Sequence, residues 1–163
     1  MRRPVPELPP LPPHPFELRR MRPEDLDEVM RVERLAFAHP WSTELFRREL
    51  DHDWSTVLLA EERTAEGIVL LGFVIFWLVH DEVHVLNVAV DPGHRRKGVA
   101  RALLHACLRA GQAHGAVLAT LEVRKTNQAA LALYQGMGFR QVGLRPNYYV
   151  DEGEDAVVML CDL

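Results

Sequence analysis

The stretch NVAVDPGHRRKGVARALLHACL, residues 87–108, decides the fold of this chain. It runs from an apolar segment through the turn Asp91-Pro92-Gly93 into three consecutive cations, and a helical pattern begins after Gly98. The N-terminus of a helix already carries a partial positive charge, so local electrostatics favour acids there and disfavour cations. The three cations therefore indicate that this turn binds a negatively charged ligand.

The residues that follow the turn repeat with helical spacing. Val99, Leu103, Ala106 and Ala110 recur at intervals of four, three and four residues, which predicts a helix that ends near residues 111–115. The segment AVLATLEVR, residues 116–124, then predicts a strand. A strand, a helix and a second strand predict a right-handed parallel crossover, and a ligand belongs at the carboxyl end of its first strand. The three cations lie at that end.

Outward from this unit, the remaining apolar patterns predict the rest of the fold. We predict strands at residues 16–21, 55–62, 67–79, 82–90, 116–124, 144–150 and 155–163, and helices at residues 23–37, 42–50, 99–111 and 127–138. This order predicts an α+β (mixed α/β) fold with a single domain. Its seven-stranded sheet is mostly antiparallel, contains one central parallel β-α-β crossover and is flanked by helices.

Length and composition limit the class of protein. A chain of 163 residues with 48% hydrophobic and 26% charged residues suits one soluble domain. Its net charge of -4 argues against a general polyanion binder, so any anion must be bound locally. The two cysteines, Cys107 and Cys161, form no CxxC pair, and the eight histidines lack metal-ligand spacing. We therefore expect no disulfide framework, no metal site and a reducing, cytoplasmic location.

The first fifteen residues differ in composition from the rest, since they hold seven of the eleven prolines. Proline favours extended polyproline II, so we expect residues 1–15 to be a flexible arm that precedes a domain at residues 16–163. A PxxP-type ligand for a partner is the alternative. The longest apolar run, residues 68–79, is shorter than the about 20 residues of a membrane helix and predicts a buried strand. We expect no membrane partner and no direct nucleic-acid partner.

The cationic turn combines two features of anion sites. Gly98 allows a ligand to approach the backbone closely, and the first N–H groups of a helix lack internal partners. Together with the side chains they predict a pyrophosphate cradle, for which a solvated basic turn is the alternative. The turn contains neither the GxxxxGK[ST] of a P-loop nor the GxGxxG of dinucleotide-binding folds.

The segment VAVDPGHRRKGVARALL resembles the R/Q-x-x-G-x-G/A motif of the GNAT family of acetyl-CoA-dependent N-acetyltransferases, with Ala100 at the final small position. The segments HPWS, LEVRKTNQAALALYQGMGFRQVGLRPNYY and EDAVVML extend the resemblance across nearly the whole chain. They are similar to the RimI-type branch of that family, which acetylates the N-terminal alanine of a small-subunit ribosomal protein. The resemblance implies that the cations bind the pyrophosphate of acetyl-CoA, which would be the cosubstrate.

The resemblance also implies which residues contact the cofactor. The strand backbone at residues 88–90 would pair with the pantetheine arm, and the turn would hold the pyrophosphate mainly through backbone N–H groups. Asn127 matches a family residue that contacts the cofactor, although it also suits a helix N-cap, and both roles can hold. The implied cofactor residues are Val88, Ala89, Val90, Arg95, Arg96, Lys97, Gly98, Val99, Ala100, Arg101 and Asn127.

Acyl transfer to an amine requires a neutral nucleophile, yet an α-amino group has a pKa of about 7.7–8.0. A base must remove a proton, and the departing thiolate needs a proton donor. Glu122 interrupts an apolar strand, where a carboxylate is costly unless it is paired, exposed or used, and Tyr134 follows on the next helix. The resemblance implies that Glu122 is the general base and that Tyr134 is the general acid.

The residues alone leave structural roles open for both side chains. Glu122 could lie on a solvated strand face or pair with Arg124, and Tyr134 could be a core aromatic of an Ala/Leu-rich helix. His84, on the strand at residues 82–90, is a rival base, although a partly buried strand residue is its simpler interpretation.

The acceptor side involves Trp41, Tyr148 and Tyr149, which we expect to wall a slot for a peptide N-terminus. Trp41 equally suits a hydrophobic anchor for the second helix. The pair Arg145-Pro146 and the proline-rich arm depart from the pattern of the branch, so the acceptor is less defined than the cofactor. We expect acetyl transfer to the N-terminal α-amine of a protein, namely the N-terminal alanine of a small-subunit ribosomal protein. Transfer to lysine or to a small-molecule amine, and a non-catalytic acetyl-CoA-binding module, are the alternatives.

Overall fold

The computed structural model describes residue 4 and residues 6–163 of the chain. Within them, the strands are β1 (Glu17–Arg20), β2 (Ser55–Thr64), β3 (Gly67–Val79), β4 (Glu82–Val90), β5 (Leu118–Arg124), β6 (Arg140–Tyr149) and β7 (Glu154–Asp162). The α-helices are α1 (Leu26–Ala36), α2 (Thr43–Asp51), α3 (Val99–His114) and α4 (Gln128–Gly136).

All seven strands belong to one sheet in the order β1-β2-β3-β4-β5-β7-β6. Every neighbouring pair is antiparallel except β4 and β5, which are parallel and are connected by α3. The predicted fold class, with one parallel crossover in a mostly antiparallel sheet, is therefore confirmed.

Among the differences from the predicted boundaries, two shift the start of an element by three or more residues. The first helix begins with a short 3-10 turn at Pro23–Asp25, and α1 starts only at Leu26. Strand β6 begins at Arg140, four residues before the predicted start at Leu144. Because β6 is the edge of the sheet and is exposed along most of its length, it lacks the alternation of apolar and polar residues that predicts a strand.

The sheet separates two apolar cores, because successive residues of a strand point to opposite faces. On β3, Val74 and Phe76 join the core beneath α3 and α4, whereas Phe73 and Ile75 join the core beneath α1 and α2. Helix α3 packs closely on the sheet at Gly111, where any larger side chain would collide with the side chain of Val83. The helices are thus fixed on both faces around the crossover.

Strands β4 and β5 stop pairing before they end. Their register runs from Glu82↔Leu118 to Val85↔Leu121, and both strands continue beyond it. The pairing of β4 with β3 is also irregular here, since it passes from Phe76↔Val85 to Ile75↔Asn87 and skips one residue. A bulge of this kind locally bends a strand and redirects its side chains. The sheet therefore has a gap between β4 and β5 at their carboxyl ends.

Part of the proline-rich arm contacts the domain. The side-chain amide of Gln112 donates a hydrogen bond to the carbonyl of Pro6 (2.9 Å), and Leu8 and Leu11 are partly buried against the α3-side core. The flexibility of residues 1–15 stays a prediction, and residues 1–3 and 5 lie outside the described residues. Across the described chain, every helix is too short or too polar to span a bilayer.

Candidate active site

A cavity of about 370 Å³ opens at the gap between β4 and β5. Because the gap passes through the sheet, the cavity is reached by side chains from both faces. Its walls come from α1 and the loop after it, from β4, β5 and α4, and from the turn between β6 and β7. The lining residues that matter for its chemistry are Glu33, Trp41, Asn87, Val88, Glu122, Arg124, Asn127, Tyr134, Tyr149, Glu152 and Glu154.

Glu122 lies on β5 directly after the last residue that pairs with β4. Its side chain is 29% exposed, and its Oε1 lies 3.4 Å from Nη2 of Arg145 on β6. The pairing partner considered from the sequence, Arg124, instead contacts acids of the β6–β7 turn. A carboxylate that is accessible from a cavity and held by one cation can accept a proton from a bound amine.

Tyr134 reaches the same cavity from α4. It is only 9% exposed and packs edge-on against Phe139, with ring centroids 5.9 Å apart. Burial raises the pKa of its phenol well above the usual value, and the neighbouring Tyr149 and Cys107 add to the increase. Tyr134 therefore stays protonated at neutral pH, and its phenol can donate a hydrogen bond. It belongs to the core as well as to the cavity wall, so its two interpretations are compatible.

The cationic turn is held in a defined conformation. The side chain of Asp91 accepts a hydrogen bond from the backbone N–H of Gly93 (2.8 Å) and pairs with Arg31 of α1 (2.9 Å). Hydrogen bonding to Arg31 lowers the pKa of Asp91. A 3-10 turn spans Pro92–His94, and the exposed residues 95–98 lead into α3.

Gly98 caps α3 at a left-handed backbone conformation, with φ of +80°. A Cβ built on Gly98 would meet no atom within 4 Å, so the backbone before the helix faces open space. Arg96 also has a positive φ of +62°, which costs energy for a residue with a side chain. The turn thus combines the N-terminus of a helix with three exposed cations, the two features of the predicted anion cradle.

The strand edge next to this cradle is also available. In the described part of the chain, β4 beyond Val85 has no registered partner on the β5 side, which leaves backbone groups of Val88, Ala89 and Val90 able to pair with a ligand. Asn127 is seen as the N-cap of α4, because its side-chain oxygen accepts a hydrogen bond from the N–H of Ala130 (3.2 Å). Its contact with a cofactor stays a prediction.

Two of the three aromatic residues expected on the acceptor side line the cavity. Trp41 lines it and also packs against Phe46 of α2 (ring centroids 5.5 Å apart), so its position suits both of the roles considered for it, and its contact with an acceptor stays a prediction. Tyr149 lines the cavity beneath the guanidinium of Arg124, which lies 4.1 Å from the ring centre. Tyr148 is 47% exposed and contacts Tyr149 edge-on from outside the cavity.

The rival base lies elsewhere. His84 belongs to the amino-terminal half of β4, where its Nε2 lies 2.8 Å from Glu82 Oε2. Neither residue is among those that line the cavity. The geometry therefore favours Glu122 over His84 as the group that meets an amine.

The sequence interpretation missed a hydrogen-bonded pair in the cavity wall, the buried Glu33 and the partly buried Asn87. Glu33 of α1 is 1% exposed, and its carboxylate accepts hydrogen bonds from the side-chain amide of Asn87 and from the backbone N–H of Trp41. Burial raises the pKa of Glu33. The signal was available, because Glu33 falls on the apolar spacing of its helix and Asn87 interrupts the apolar strand VLNVAV, just as Glu122 interrupts its own strand.

The sequence interpretation also missed a group of side chains beside the cavity, to which His39 and Glu152 contribute lining residues. His39, in the loop after α1, lies 3.4 Å from Asp151 and 3.0 Å from Glu152 in the β6–β7 turn. These three side chains are close enough to share a metal ion, but Arg124 also contacts both acids and supplies positive charge there. The expected absence of a metal stays a prediction.

The chain was compared with known proteins. Residues 26–139 match the sequence profile of the acetyltransferase (GNAT) family. The chain is 35% identical over 137 residues to the ribosomal protein bS18-alanine N-acetyltransferase of Escherichia coli strain K12, an alignment that covers 83% of this chain and 89% of that protein. The crystal structure of the Escherichia coli ribosomal-protein-S18-alanine N-acetyltransferase superposes with a TM-score of 0.80 at 33% identity, over 90% of this chain and 93% of that one. Ard1 from Thermoplasma volcanium superposes with a TM-score of 0.82 at 25% identity, over 91% and 98%.

Proposed function

The chain belongs to the GNAT family of acetyltransferases, and from that premise we propose that it transfers the acetyl group of acetyl-CoA to the N-terminal alanine of a small-subunit ribosomal protein. The family resemblance drawn from the sequence is confirmed. Similarity to the bS18-alanine N-acetyltransferase supports this acceptor. A ribosomal acceptor in turn favours the cytoplasm as the place of the reaction.

One observation carries the proposed chemistry: Glu122 and Tyr134 line the same cavity at the gap in the sheet. They come from different elements, β5 and α4. A module that only binds acetyl-CoA needs neither a carboxylate nor a phenol at this point, whereas acyl transfer needs both a base and a donor.

Glu122 acts on the acceptor. An α-ammonium in the cavity gives one proton to the carboxylate, directly or through one water, and the freed nitrogen lone pair forms a bond to the thioester carbonyl carbon. The carbonyl π electrons move to oxygen as this bond forms. The nitrogen of the tetrahedral intermediate then loses its second proton to water, the carbonyl re-forms, and the carbon–sulfur bond breaks with its electron pair on sulfur as a thiolate. Arg145, 3.4 Å from Glu122, holds the carboxylate at the wall during this step.

Tyr134 acts on the departing sulfur. A thiol has a pKa of about 8.5, and burial keeps the pKa of Tyr134 above the usual phenol value, so complete proton transfer to the thiolate is uphill. The hydrogen bond from the phenol nevertheless strengthens as negative charge develops on sulfur. We therefore infer that Tyr134 serves as the general acid through this hydrogen bond.

The cofactor is held by backbone more than by side chains. The free edge of β4 at Val88–Val90 suits the amide groups of the pantetheine arm, and the N–H groups after Gly98 suit the pyrophosphate. The cations of the turn add a favourable field around these contacts, which raises the rate of encounter with an anionic cofactor. Asn127 lines the cavity, which supports a further contact with the cofactor from the start of α4.

The proposed acceptor is tested with a set of amines. The protein is incubated with acetyl-CoA and a peptide that begins with Ala, with an N-terminally blocked copy that contains an internal lysine, and with small amines. Mass spectrometry with fragmentation should locate one acetyl group on the α-amine of the first peptide and none on the blocked copy. Preferential acetylation of the blocked lysine peptide or of a small amine would refute the proposed acceptor, and the absence of acetylation of any amine would favour a binding module.

A further inference from the structure

Glu33 has an unusual environment for a carboxylate. It is 1% exposed, and its oxygens accept hydrogen bonds from Nδ2 of Asn87 (3.1 and 2.9 Å) and from the backbone N–H of Trp41 (3.2 Å). Among the described residues, no cationic side chain pairs with it within 4.0 Å. A buried charge that only neutral groups stabilise is costly to the fold, so its hydrogen bonds must achieve something that an apolar residue would not.

The two donors belong to opposite sides of the reaction. Asn87 lies on β4 at the bulge, immediately before Val88, where the strand leaves β5 and becomes available to the pantetheine arm. Trp41 lies in the acceptor wall that follows α1. One carboxylate therefore joins the strand that faces the thioester to the wall that faces the amine.

A second buried glutamate shows that burial alone does not assign a residue to the candidate site. Glu49 of α2 is 8% exposed and accepts hydrogen bonds from the hydroxyl of Ser55 (2.6 Å) and the indole N–H of Trp77 (2.8 Å). It does not line the cavity between β4 and β5. Glu33 and Glu49 thus share burial and neutral donors, and only Glu33 connects the two halves of the candidate site.

We propose that Glu33 is a positioning residue for acyl transfer, because its hydrogen bonds to Asn87 and Trp41 set the separation between the thioester and the acceptor amine. This inference rests on the proposed acetyl transfer. The reacting atoms must approach to about 3–3.5 Å, and a misplacement of about 1 Å can cost about 10²-fold in rate. Glu33 does not need to touch either substrate to have this effect.

The test compares two substitutions at Glu33. Glu33→Met keeps the length of the side chain and removes every hydrogen bond. Glu33→Gln removes the charge but keeps one acceptor oxygen, which can accept from both Asn87 and Trp41 as Oε1 of Glu33 does. We expect Glu33→Met to lower kcat per folded molecule by about 10²-fold with an unchanged Kd for acetyl-CoA. Glu33→Gln should restore kcat to within a few-fold of the wild type.

The matched control is Glu49→Met, which breaks two hydrogen bonds of a buried carboxylate away from the cavity. It should lower Tm and leave kcat per folded molecule unchanged. If Glu33→Met does not fold, Asn87→Leu breaks the same link from the strand side and should lower kcat similarly. Amide exchange of Trp41, followed by NMR, should accelerate in Glu33→Met and stay slow in Glu33→Gln, a readout that needs no acceptor.

Two results would overturn the inference. Normal kcat in folded Glu33→Met would show that Glu33 only supports the fold. Equal loss of kcat in Glu33→Gln and Glu33→Met would show that the charge acts, and not the link. The comparison of kcat between the Glu33 variants can use any amine that the wild-type protein acetylates. Failure of the wild type with an α-amine therefore refutes the proposed acceptor, whereas the ratio between the two variants tests only Glu33.

Discussion

At the proposed cofactor end of the site, the candidate anion-binding groups come from one continuous stretch, residues 91–101. At the proposed acceptor end, the cavity walls come from α1, β4, β5, α4 and the β6–β7 turn. The charges are also opposite. The proposed cofactor end presents the three cations of the turn. The acceptor end holds four carboxylates, which Arg124 and Arg145 neutralise only in part: Glu33, Glu122, Glu152 and Glu154. The proposed phosphate-bearing cofactor and ammonium-bearing acceptor would thus each meet an excess of the opposite charge.

The difference predicts that the two ends tolerate substitutions differently. Backbone N–H groups at a helix N-terminus do not depend on which side chains surround them, so the cofactor end is robust to most substitutions. The acceptor end depends on side chains brought together from distant parts of the chain, and a single substitution there removes a unique group. We therefore expect the largest effects on turnover at the acceptor end and effects on affinity at the cofactor end.

The largest effect is expected for Glu122→Gln, which keeps the size of the side chain and removes its basicity. Turnover should fall by about 10²–10⁴-fold, the usual contribution of a general base. The deficit should shrink as pH rises through the amine pKa of about 7.7–8.0, since solvent then deprotonates the amine. Turnover measured across pH, together with the Kd for acetyl-CoA, checks this result. A deficit that is independent of pH would contradict the role of base.

A smaller loss of turnover is expected for Tyr134→Phe, which removes only the hydroxyl. The buried phenol is a weak acid, so we expect a loss near the lower limit for acid–base catalysis, about 10²-fold. Raising the pH should not restore turnover, because the departing thiolate still lacks its donor. The opposite pH behaviour of the two variants separates base from acid. Near-normal turnover in a folded Tyr134→Phe protein would leave Tyr134 with its role in the core alone.

At the cofactor end, Gly98→Val should weaken acetyl-CoA binding and leave the acceptor end intact. The added methyl groups would fill the open space in front of the backbone, and losing one charge-assisted hydrogen bond of about 1.5–3 kcal/mol weakens binding at least about tenfold. Cofactor-induced shifts in Tm measure this, since a ligand raises Tm more when it binds more tightly.

Gly115→Val is the matched control for this change. Gly115 ends the same helix with φ of +90° and also has no atom within 4 Å of a built Cβ, so its substitution introduces similar backbone strain far from the turn. It should lower Tm without altering the shift that acetyl-CoA produces. Equal shifts in Tm on adding acetyl-CoA to both valine variants would show that the turn does not bind the pyrophosphate.

The same division explains what could be predicted from the sequence. Local features were predictable: the turn, the crossover, and the caps of α2 and α4 at Ser42 and Asn127 all depend on neighbours a few residues away. The helical spacing of α3 was recognised, but Ala106 and Ala110 proved only partly buried, whereas Cys107 and Leu108 are fully buried. The helix lies on a twisted sheet, and its apolar stripe is broader than one line of residues.

Contacts that depend on tertiary structure were not predictable in the same way. The sequence around Glu122 does not predict its pairing with Arg145. The two residues come close only because the strands are arranged in the order β5-β7-β6. The exposed position of Tyr148 follows from an irregular register of β6 between Arg145 and Tyr149. A polar residue within an apolar pattern, such as Glu33, is the remaining sequence feature that indicates a tertiary contact. It does not predict which residue the polar side chain contacts.

The smallest expected effect is on the stability of the fold, which should depend on pH with opposite sign at the two ends. At the cofactor end, the pKa of Asp91 is lowered by Arg31, so this carboxylate stabilises the fold above its unfolded pKa of about 3.9, and the contribution is lost as pH falls through its lowered value. At the acceptor end, burial raises the pKa of Glu33, so stability decreases as pH rises from about 4.3 to that raised value.

Asp91→Asn and Glu33→Gln therefore have opposite profiles of stability against pH. Relative to the wild type, Asp91→Asn should lose stability as pH rises through about 4, by on the order of 1 kcal/mol or less, because the amide oxygen can still accept from the N–H of Gly93 but no longer pairs with Arg31 as an ion. Glu33→Gln should gain relative stability with rising pH, because the wild type must keep a charge buried. Urea unfolding between about pH 3 and 7 measures both differences. If the stability of both variants relative to the wild type changed with pH in the same direction, the opposite pKa shifts of Asp91 and Glu33 would not determine how stability depends on pH.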